Sequence, residues 1–71
     1  MNVFNPKKLF NSKWTAVNPV NKEKHFVVTA VKIDEEGNVI HCVIEAVISK
    51  RAEQIEWKNL KDSQQWQQGW K

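Results

Sequence analysis

Two neighbouring segments carry most of the β-branched residues of this chain: KHFVVTAVKI (residues 24–33) and VIHCVIEAVI (residues 39–48). The second segment also fits helical spacing, with apolar residues at i, i+3, i+4, i+7 and i+8 from Ile40. Six of its ten residues are Val or Ile, and β-branched side chains lose χ1 freedom in a helix, so we predict a strand. Its predicted buried face consists of alternate residues: Ile40, Cys42, Ile44, Ala46 and Ile48.

The polar segment Asp34–Asn38 separates these two strands and predicts a turn, in which Gly37 supplies the positive φ. A further strand is predicted before them, over Lys13–Asn18, with Trp14 on its inner face. Pro19 follows and is expected to end that strand, because proline cannot donate a ladder hydrogen bond.

A fourth strand is predicted over Gln54–Lys58, with Ile55 and Trp57 facing inward. A meander of four short strands must curl to bury its apolar face. We therefore predict a mainly β fold: a small antiparallel four-stranded meander, curled into an SH3-like roll or open barrel, with short helical turns at both termini. The predicted structural core consists of Trp14, Phe26, Ile44, Ile55 and Trp57.

Capping signals predict the two helical turns. Asn5 is a suitable N-cap and Pro6 suits the first helical position, because its missing N–H costs nothing there. Leu9 and Phe10 are then expected to pack against the core. Near the other end, a short helix is predicted to begin at Asp62, with Gln65 as capping-box partner and Gly69 as its stop signal, and the tail is Trp66-Gln67-Gln68-Gly69-Trp70-Lys71.

The length of 71 residues allows one domain, spanning residues 1–71. It excludes a two-domain enzyme cleft and a nucleotide-binding α/β sheet. A single cysteine cannot form an intramolecular disulfide, which favours a reducing compartment. The sequence contains no apolar run long enough for a signal peptide or a membrane span, so we expect a cytoplasmic protein with no membrane partner.

The tryptophans and their neighbours form a recognisable pattern along nearly the whole chain. Its segments are Asn5-Pro6-Lys7-Lys8-Leu9, Ser12-Lys13-Trp14-Thr15-Ala16-Val17, Glu23-Lys24-His25-Phe26, Glu45-Ala46-Val47, Ser49-Lys50-Arg51, Ile55, Trp57, Leu60-Lys61-Asp62, Trp66 and Gly69-Trp70. This pattern resembles a small tryptophan-rich family of conserved bacterial proteins of uncharacterised function. The resemblance implies one compact family domain and a bacterial origin, and it implies no particular activity.

Catalytic and metal-binding signals are weak. His41 and Cys42 are adjacent on a strand and point to opposite faces, so they cannot share an ion with His25 unless a bulge intervenes. Cys42 lies on the predicted apolar face, where burial raises a thiol pKa and leaves it inert. Acidic side chains around Lys50 and Arg51 are typical of a solvated ion-pair surface. We therefore expect no catalytic residue, no metal and no cofactor, and a protein that is not an enzyme.

The charge is unevenly distributed. The formal net charge is +3, with +5 over residues 1–33, −4 over residues 34–56 and +2 over residues 57–71. This balance is compatible with an ordinary solvated surface, or with two basic ends that meet in one basic face. In the second case the leading hypothesis is binding of RNA or single-stranded DNA, because lysines neutralise phosphates and aromatic rings stack on bases.

The candidate nucleic-acid contacts are Lys7, Lys8, Lys13, Lys24, Lys50, Arg51, Lys58, Trp66 and Trp70. The two last tryptophans could instead clamp the tail over an open end of the barrel. The alternative function is a protein-interaction or regulatory module, which would use an exposed sheet edge and Trp or Arg anchors to hold a protein partner.

Overall fold

A computed structural model describes residues 2–71 and shows a mainly β protein. The strands are β1 (Lys13–Val20), β2 (Glu23–Ile33), β3 (Val39–Ala46), β4 (Ala52–Gln54) and β5 (Trp66–Gln68), and two 3₁₀ turns cover Pro6–Lys8 and Trp57–Lys61. All pairings are antiparallel, in one open sheet of order β4-β3-β2-β1-β5. The prediction of a mainly β antiparallel meander is confirmed, with five strands in place of four. The SH3-like curl stays a prediction.

β1 and β2 form a hairpin that runs through Pro19 to a tight turn. Asn21 and Lys22 both have positive φ, 57° and 64°, as two-residue hairpin turns require. Val20 pairs with Glu23, and the register is irregular between Thr15 and Val20. Pro19 therefore lies in an irregular stretch, where proline is tolerated within a strand, and the expectation that it ends β1 was wrong.

The core lies on one face of the sheet and is closed by the two 3₁₀ turns. Its buried apolar residues are Leu9, Trp14, Phe26, Val28, Cys42, Ile44, Ala46 and Leu60. The prediction is confirmed for Trp14, Phe26 and Ile44. Ile55 and Trp57 are half-buried and pack against this cluster from one side.

The predicted buried face of β3 is correct in its middle and wrong at both ends. Ile40 is exposed because a bulge interrupts the pairing there: Lys32 pairs with His41 and Ile33 pairs with Val39, which leaves Ile40 unpaired. An extra residue of this kind reverses the faces beyond it, and Val39 packs against the core instead. Ile48 is exposed because β3 ends at Ala46, where the chain turns.

The first 3₁₀ turn is capped as predicted, but the two apolar residues that follow it differ in burial. Asn5 Oδ1 accepts a hydrogen bond from Lys7 N at 3.0 Å. Leu9 is fully buried, whereas Phe10 is exposed, which corrects the expectation that both pack inward. The chain reverses immediately afterwards, since Asn11 has a φ of 65° and donates its N–H to the carbonyl of Val28.

The C-terminal third differs most from expectation. Of the predicted fourth strand, Gln54–Lys58, only Gln54 pairs with β3, because β4 lies earlier, at Ala52–Gln54, and the chain enters the second 3₁₀ turn at Trp57. No helix begins at Asp62. Its Oδ1 accepts from Gln64 N at 2.9 Å in a turn, and β5 follows, pairing with β1. Gly69 ends β5 with a φ of 80°.

The N-terminal segment is fastened to the C-terminal third of the chain. Asn2 Nδ2 donates to the carbonyl oxygens of Leu60 and Trp66, both at 2.8 Å. Phe4 makes edge-to-face contacts with Trp14 and Trp57, at 5.2 and 6.0 Å between ring centroids. The two ends of the sequence therefore meet in space, and one common basic face stays a prediction. No helix among residues 2–71 is long and apolar enough to cross a membrane.

Candidate nucleic-acid interface

The sheet has an outer face, opposite the core, that carries both polar and aromatic groups. Trp14 and Phe26 pair on the core side, so the flanking pairs Lys13 with Val27 and Thr15 with His25 face outward. Val27 in turn pairs with Glu45 of β3. The outer face therefore presents a lysine, a histidine and a carboxylate on three neighbouring strands.

Trp70 lies across this outer face and is 45% exposed. Its indole N–H donates to the carbonyl of Phe26 at 3.0 Å. The ring of His25 lies 5.8 Å away at an interplanar angle of 33°, and the Lys13 ammonium lies 5.5 Å from the indole centroid. We call Lys13, His25, Trp70 and Lys71 the Trp70 face.

The backbone around Trp70 is held on β1 by a short ladder of hydrogen bonds. Gly69 N donates to the carbonyl of Lys13 at 2.8 Å, and the hydroxyl of Thr15 donates to the carbonyl of Gly69 at 2.7 Å. The same hydroxyl accepts from Lys71 N at 2.9 Å. Thr15 is buried beneath this segment although it lies on the outer face. Trp70 is therefore fixed in position while part of its ring stays in contact with solvent.

Lys24 lies beside the Trp70 face. It lines a shallow pocket together with His25, Lys22, Val47 and Ile48. His25 thus connects this pocket, and with it Lys24, to the indole ring of Trp70.

Arg51 is engaged within the protein. Its Nη2 lies 2.7 Å from Glu23 Oε1, and its Nη1 lies 2.8 Å from Glu53 Oε2. Glu23 is buried and also accepts a hydrogen bond from the hydroxyl of Ser49. These hydrogen bonds from Arg51 and Ser49 hold the pKa of Glu23 below its ordinary value. Arg51 therefore secures a buried carboxylate, and neighbouring Lys50 is exposed at a φ of 61°.

The other predicted lysines lie on the two 3₁₀ turns. Lys7 and Lys8 are in the first turn and Lys58 is in the second. Pro6 and Lys58 line one groove together with Trp57. The structure thus spreads the predicted contacts over these turns, the β3–β4 connection with Lys50 and Arg51, and the region of the Trp70 face.

Trp66 has a different environment from Trp70. It is half-buried in β5, pairs with Ala16 and packs against the core. Its ring makes an edge-to-face contact with Phe26 at 5.1 Å between centroids. Trp66 therefore extends the core to the edge of the sheet, and its half-buried ring is less accessible to a ligand than the ring of Trp70.

Sequence reasoning missed His25 and Lys71 as neighbours of Trp70. Strand alternation placed His25 on the face opposite Phe26, which was the available signal. Attachment of the tail to β1 had no comparable signal, because it depends on β5, a strand of only three residues.

Acid–base and metal chemistry find little support within residues 2–71. This part of the chain brings no three His, Cys, Asp or Glu side chains together in a way that could hold a metal ion. Burial, with a smaller contribution from the nearby charge of Glu56, raises the pKa of the Cys42 thiol. That thiol is therefore protonated at neutral pH.

Comparison with known proteins identifies the family of the chain. A family described as "Tryptophan-rich protein (DUF2389)" matches residues 12–71. Comparisons with curated proteins and with solved structures gave no match. The matched region includes all five strands, the second 3₁₀ turn and the Trp70 face. The chain therefore belongs to the tryptophan-rich protein family DUF2389.

Proposed function

We propose that this protein is a non-catalytic binding module for single-stranded nucleic acid, RNA in the first instance, and that a base stacks on Trp70. One observation carries the proposal: the Trp70 ring is fixed by its hydrogen bond to Phe26 yet remains 45% exposed. Base–aromatic stacking requires an accessible, oriented ring of this kind, and each stacked base contributes about 1–3 kcal/mol.

The position of Lys13 supports the same ligand. Its ammonium lies 5.5 Å from the Trp70 centroid, and an exposed cation–π contact contributes only about 0.5–1 kcal/mol. A base can therefore displace the ammonium from the ring. Lys13 is then close enough to pair with the phosphate of the stacked nucleotide.

The charged residues around the Trp70 face determine the path that we propose for the bound strand. Lys71 and Lys24 add positive charge on the strands and segments next to Trp70. Glu45 lies on the same face as Lys13, two strands away, and repels phosphate. The proposed path of the strand therefore follows β1 and β2 and avoids β3. The single cysteine favours a reducing compartment such as the cytoplasm. We therefore propose RNA as the single-stranded ligand.

The proposal is tested by titrating the protein with short single-stranded RNA of mixed sequence at two salt concentrations and following Trp emission. We expect saturable quenching that weakens steeply with salt. Trp70→Ala should remove most of the quenching and weaken binding, and Lys13→Gln should lower the slope of log K against log salt by about 0.7.

Lys32→Gln is the matched control, because Lys32 is an exposed lysine on the distal part of β2, where it pairs with His41. It should change the salt dependence less than Lys13→Gln does. Absence of quenching at low salt, or equal effects of Lys13→Gln and Lys32→Gln, would count against the Trp70 face. A partner recovered from lysate in a nuclease-resistant complex would favour the protein-interaction alternative.

A further inference from the structure

A pocket of about 420 Å³ adjoins the Trp70 face and has no role in the stacking of one base. Its walls are formed by Lys22, Lys24, His25, Val47 and Ile48. Its volume falls within the range of about 300–1,000 Å³ that is usual for small-ligand sites. His25 belongs to both sites, because it lines the pocket and its ring lies 5.8 Å from Trp70.

The chemistry of the pocket fits a nucleotide. Val47 and Ile48 provide an apolar surface, and Ile48 is 70% exposed in the free protein. Lys22 and Lys24 provide positive charge beside that surface. A nucleotide presents the complementary pair of features, an apolar ring face joined to a phosphate. A purely apolar ligand would leave the two ammonium groups without a partner.

Hydrogen bonds hold the two walls of the pocket together. Glu23 lies between Lys22 and Lys24 in the chain, and it is bonded to Ser49 and Arg51, which follow Ile48. In addition, Val47 N donates to the carbonyl of His25 at 2.9 Å. The pocket is therefore formed before a ligand arrives, which lowers the ordering cost of binding.

We propose that this pocket is a second nucleotide subsite, and that it holds the nucleotide next to the one stacked on Trp70. The smallest ligand that fills the whole site is then a dinucleotide. This inference rests on the proposed function and adds the length of RNA that the protein recognises.

The test compares uridine monophosphate with the uridine dinucleotide and tetranucleotide by NMR titration of the indole N–H signals. The expected result is a clear gain in affinity from one to two nucleotides and a smaller gain beyond two. Ile48→Ser should weaken binding of the dinucleotide by about tenfold. The affinity for the mononucleotide, followed at the indole signal of Trp70, should change much less than the affinity for the dinucleotide.

Ile40→Ser is the matched control, because Ile40 is also an exposed isoleucine of the β3 region and lies outside the pocket. Both variants should unfold at temperatures close to that of the wild type. Equal effects of the two substitutions on dinucleotide binding would overturn the subsite. If Trp70→Ala abolishes binding while Ile48→Ser has no effect, the proposed function stands and the second subsite falls. If no oligonucleotide perturbs the wild-type signals, both proposals fail.

Discussion

The guanidinium of Arg51 holds both carboxylate oxygens of Glu23, with Nη2 2.7 Å from Oε1 and Nε 3.0 Å from Oε2. The side chain of Glu23 is 6% exposed and that of Arg51 is 47% exposed. The arginine therefore pairs with a carboxylate that is largely shielded from water.

We expect Arg51→Ala to lower the melting temperature, because it leaves the carboxylate of Glu23 buried without its cation. Arg51→Lys should restore only part of the loss, since an ammonium cannot form the two parallel hydrogen bonds. Thermal unfolding followed by circular dichroism measures both. Lys50→Ala is the control for loss of a neighbouring exposed cation, and an equal effect of Lys50→Ala would contradict this role of Arg51.

The same pair predicts a dependence of stability on pH. The pKa of Glu23 is lowered in the folded state, chiefly by hydrogen bonds from Arg51 and Ser49. Its contribution to stability is therefore complete above its unfolded pKa of about 4.5, and it is lost as pH falls through the lower folded value. Urea unfolding between neutral and acidic pH should show this loss. Glu23→Gln should be less stable at pH 7 and show a shallower decline in acid, whereas Glu35→Gln, at the exposed β2–β3 turn, should follow the wild type.

Leu9 and Phe10 are adjacent and should respond to truncation in opposite ways. Leu9 is fully buried and lies before the region matched by the family, whereas Phe10 is exposed. Leu9→Ala should cost about 2–5 kcal/mol of unfolding free energy, as large-to-small core substitutions do. Phe10→Ser should change it by less than about 0.5 kcal/mol. Denaturant titration of both variants provides the comparison, and a stable Leu9→Ala variant would mean that residues before Ser12 contribute little to the core.

Trp14 and Trp57 should differ in how strongly their truncation destabilises the protein, because Trp14 lies in the core and Trp57 packs against its side. Trp14 is fully buried and its N–H donates to Ser12 Oγ at 2.8 Å, so Trp14→Ala should cost about 3–5 kcal/mol. Trp57 is half-buried, with Phe4 on one side and the Lys61 ammonium 4.8 Å from its ring. Trp57→Ala should also destabilise the protein, by less than Trp14→Ala. The free energy of unfolding of each variant decides this order.

Glu45 should oppose nucleic-acid binding at the Trp70 face. It stands on the outer face two strands from Lys13, about 10 Å away at ordinary strand spacing. At that distance in water, removing one negative charge should raise RNA affinity by about twofold at low salt, and the gain should vanish at high salt. Binding by Glu45→Gln is compared with that by Glu35→Gln. Equal affinities for the two variants at low salt would place the RNA elsewhere.

Alternation along a single strand predicted the middle of the sheet correctly. Cys42, Ile44 and Ala46 are buried as expected, because the irregularity in this stretch lies on β2, between Val28 and Ala30, and leaves the alternation of β3 unbroken. Ile40 could not be placed in this way. Its exposure comes from a bulge, and a bulge is a property of the register between two strands, which the pattern of one strand does not encode.

The C-terminal third was harder to predict because its signals are shared by different structures. Asp62 carries the same side-chain acceptor whether it caps a helix or closes a turn, and here it closes a turn. β5 has only three residues, two of them glutamines, so no apolar alternation identifies it. Trp70 was singled out as a candidate contact by residue type, and that role stays a prediction; its exposure and its neighbours follow from that short strand.

The attachment of the tail to the first strand has a consequence for the order in which the chain acquires its structure. Thr15 and Gly69 are hydrogen-bonded across 54 positions, whereas β1, β2 and β3 are joined by short turns. Contacts that are close in the chain form first, since they close smaller loops. The three central strands can therefore pair before the tail docks. Until it does, the outer edge of β1 remains unpaired and Thr15 uncovered, and this is the interval in which the sheet is open to pairing with a foreign strand.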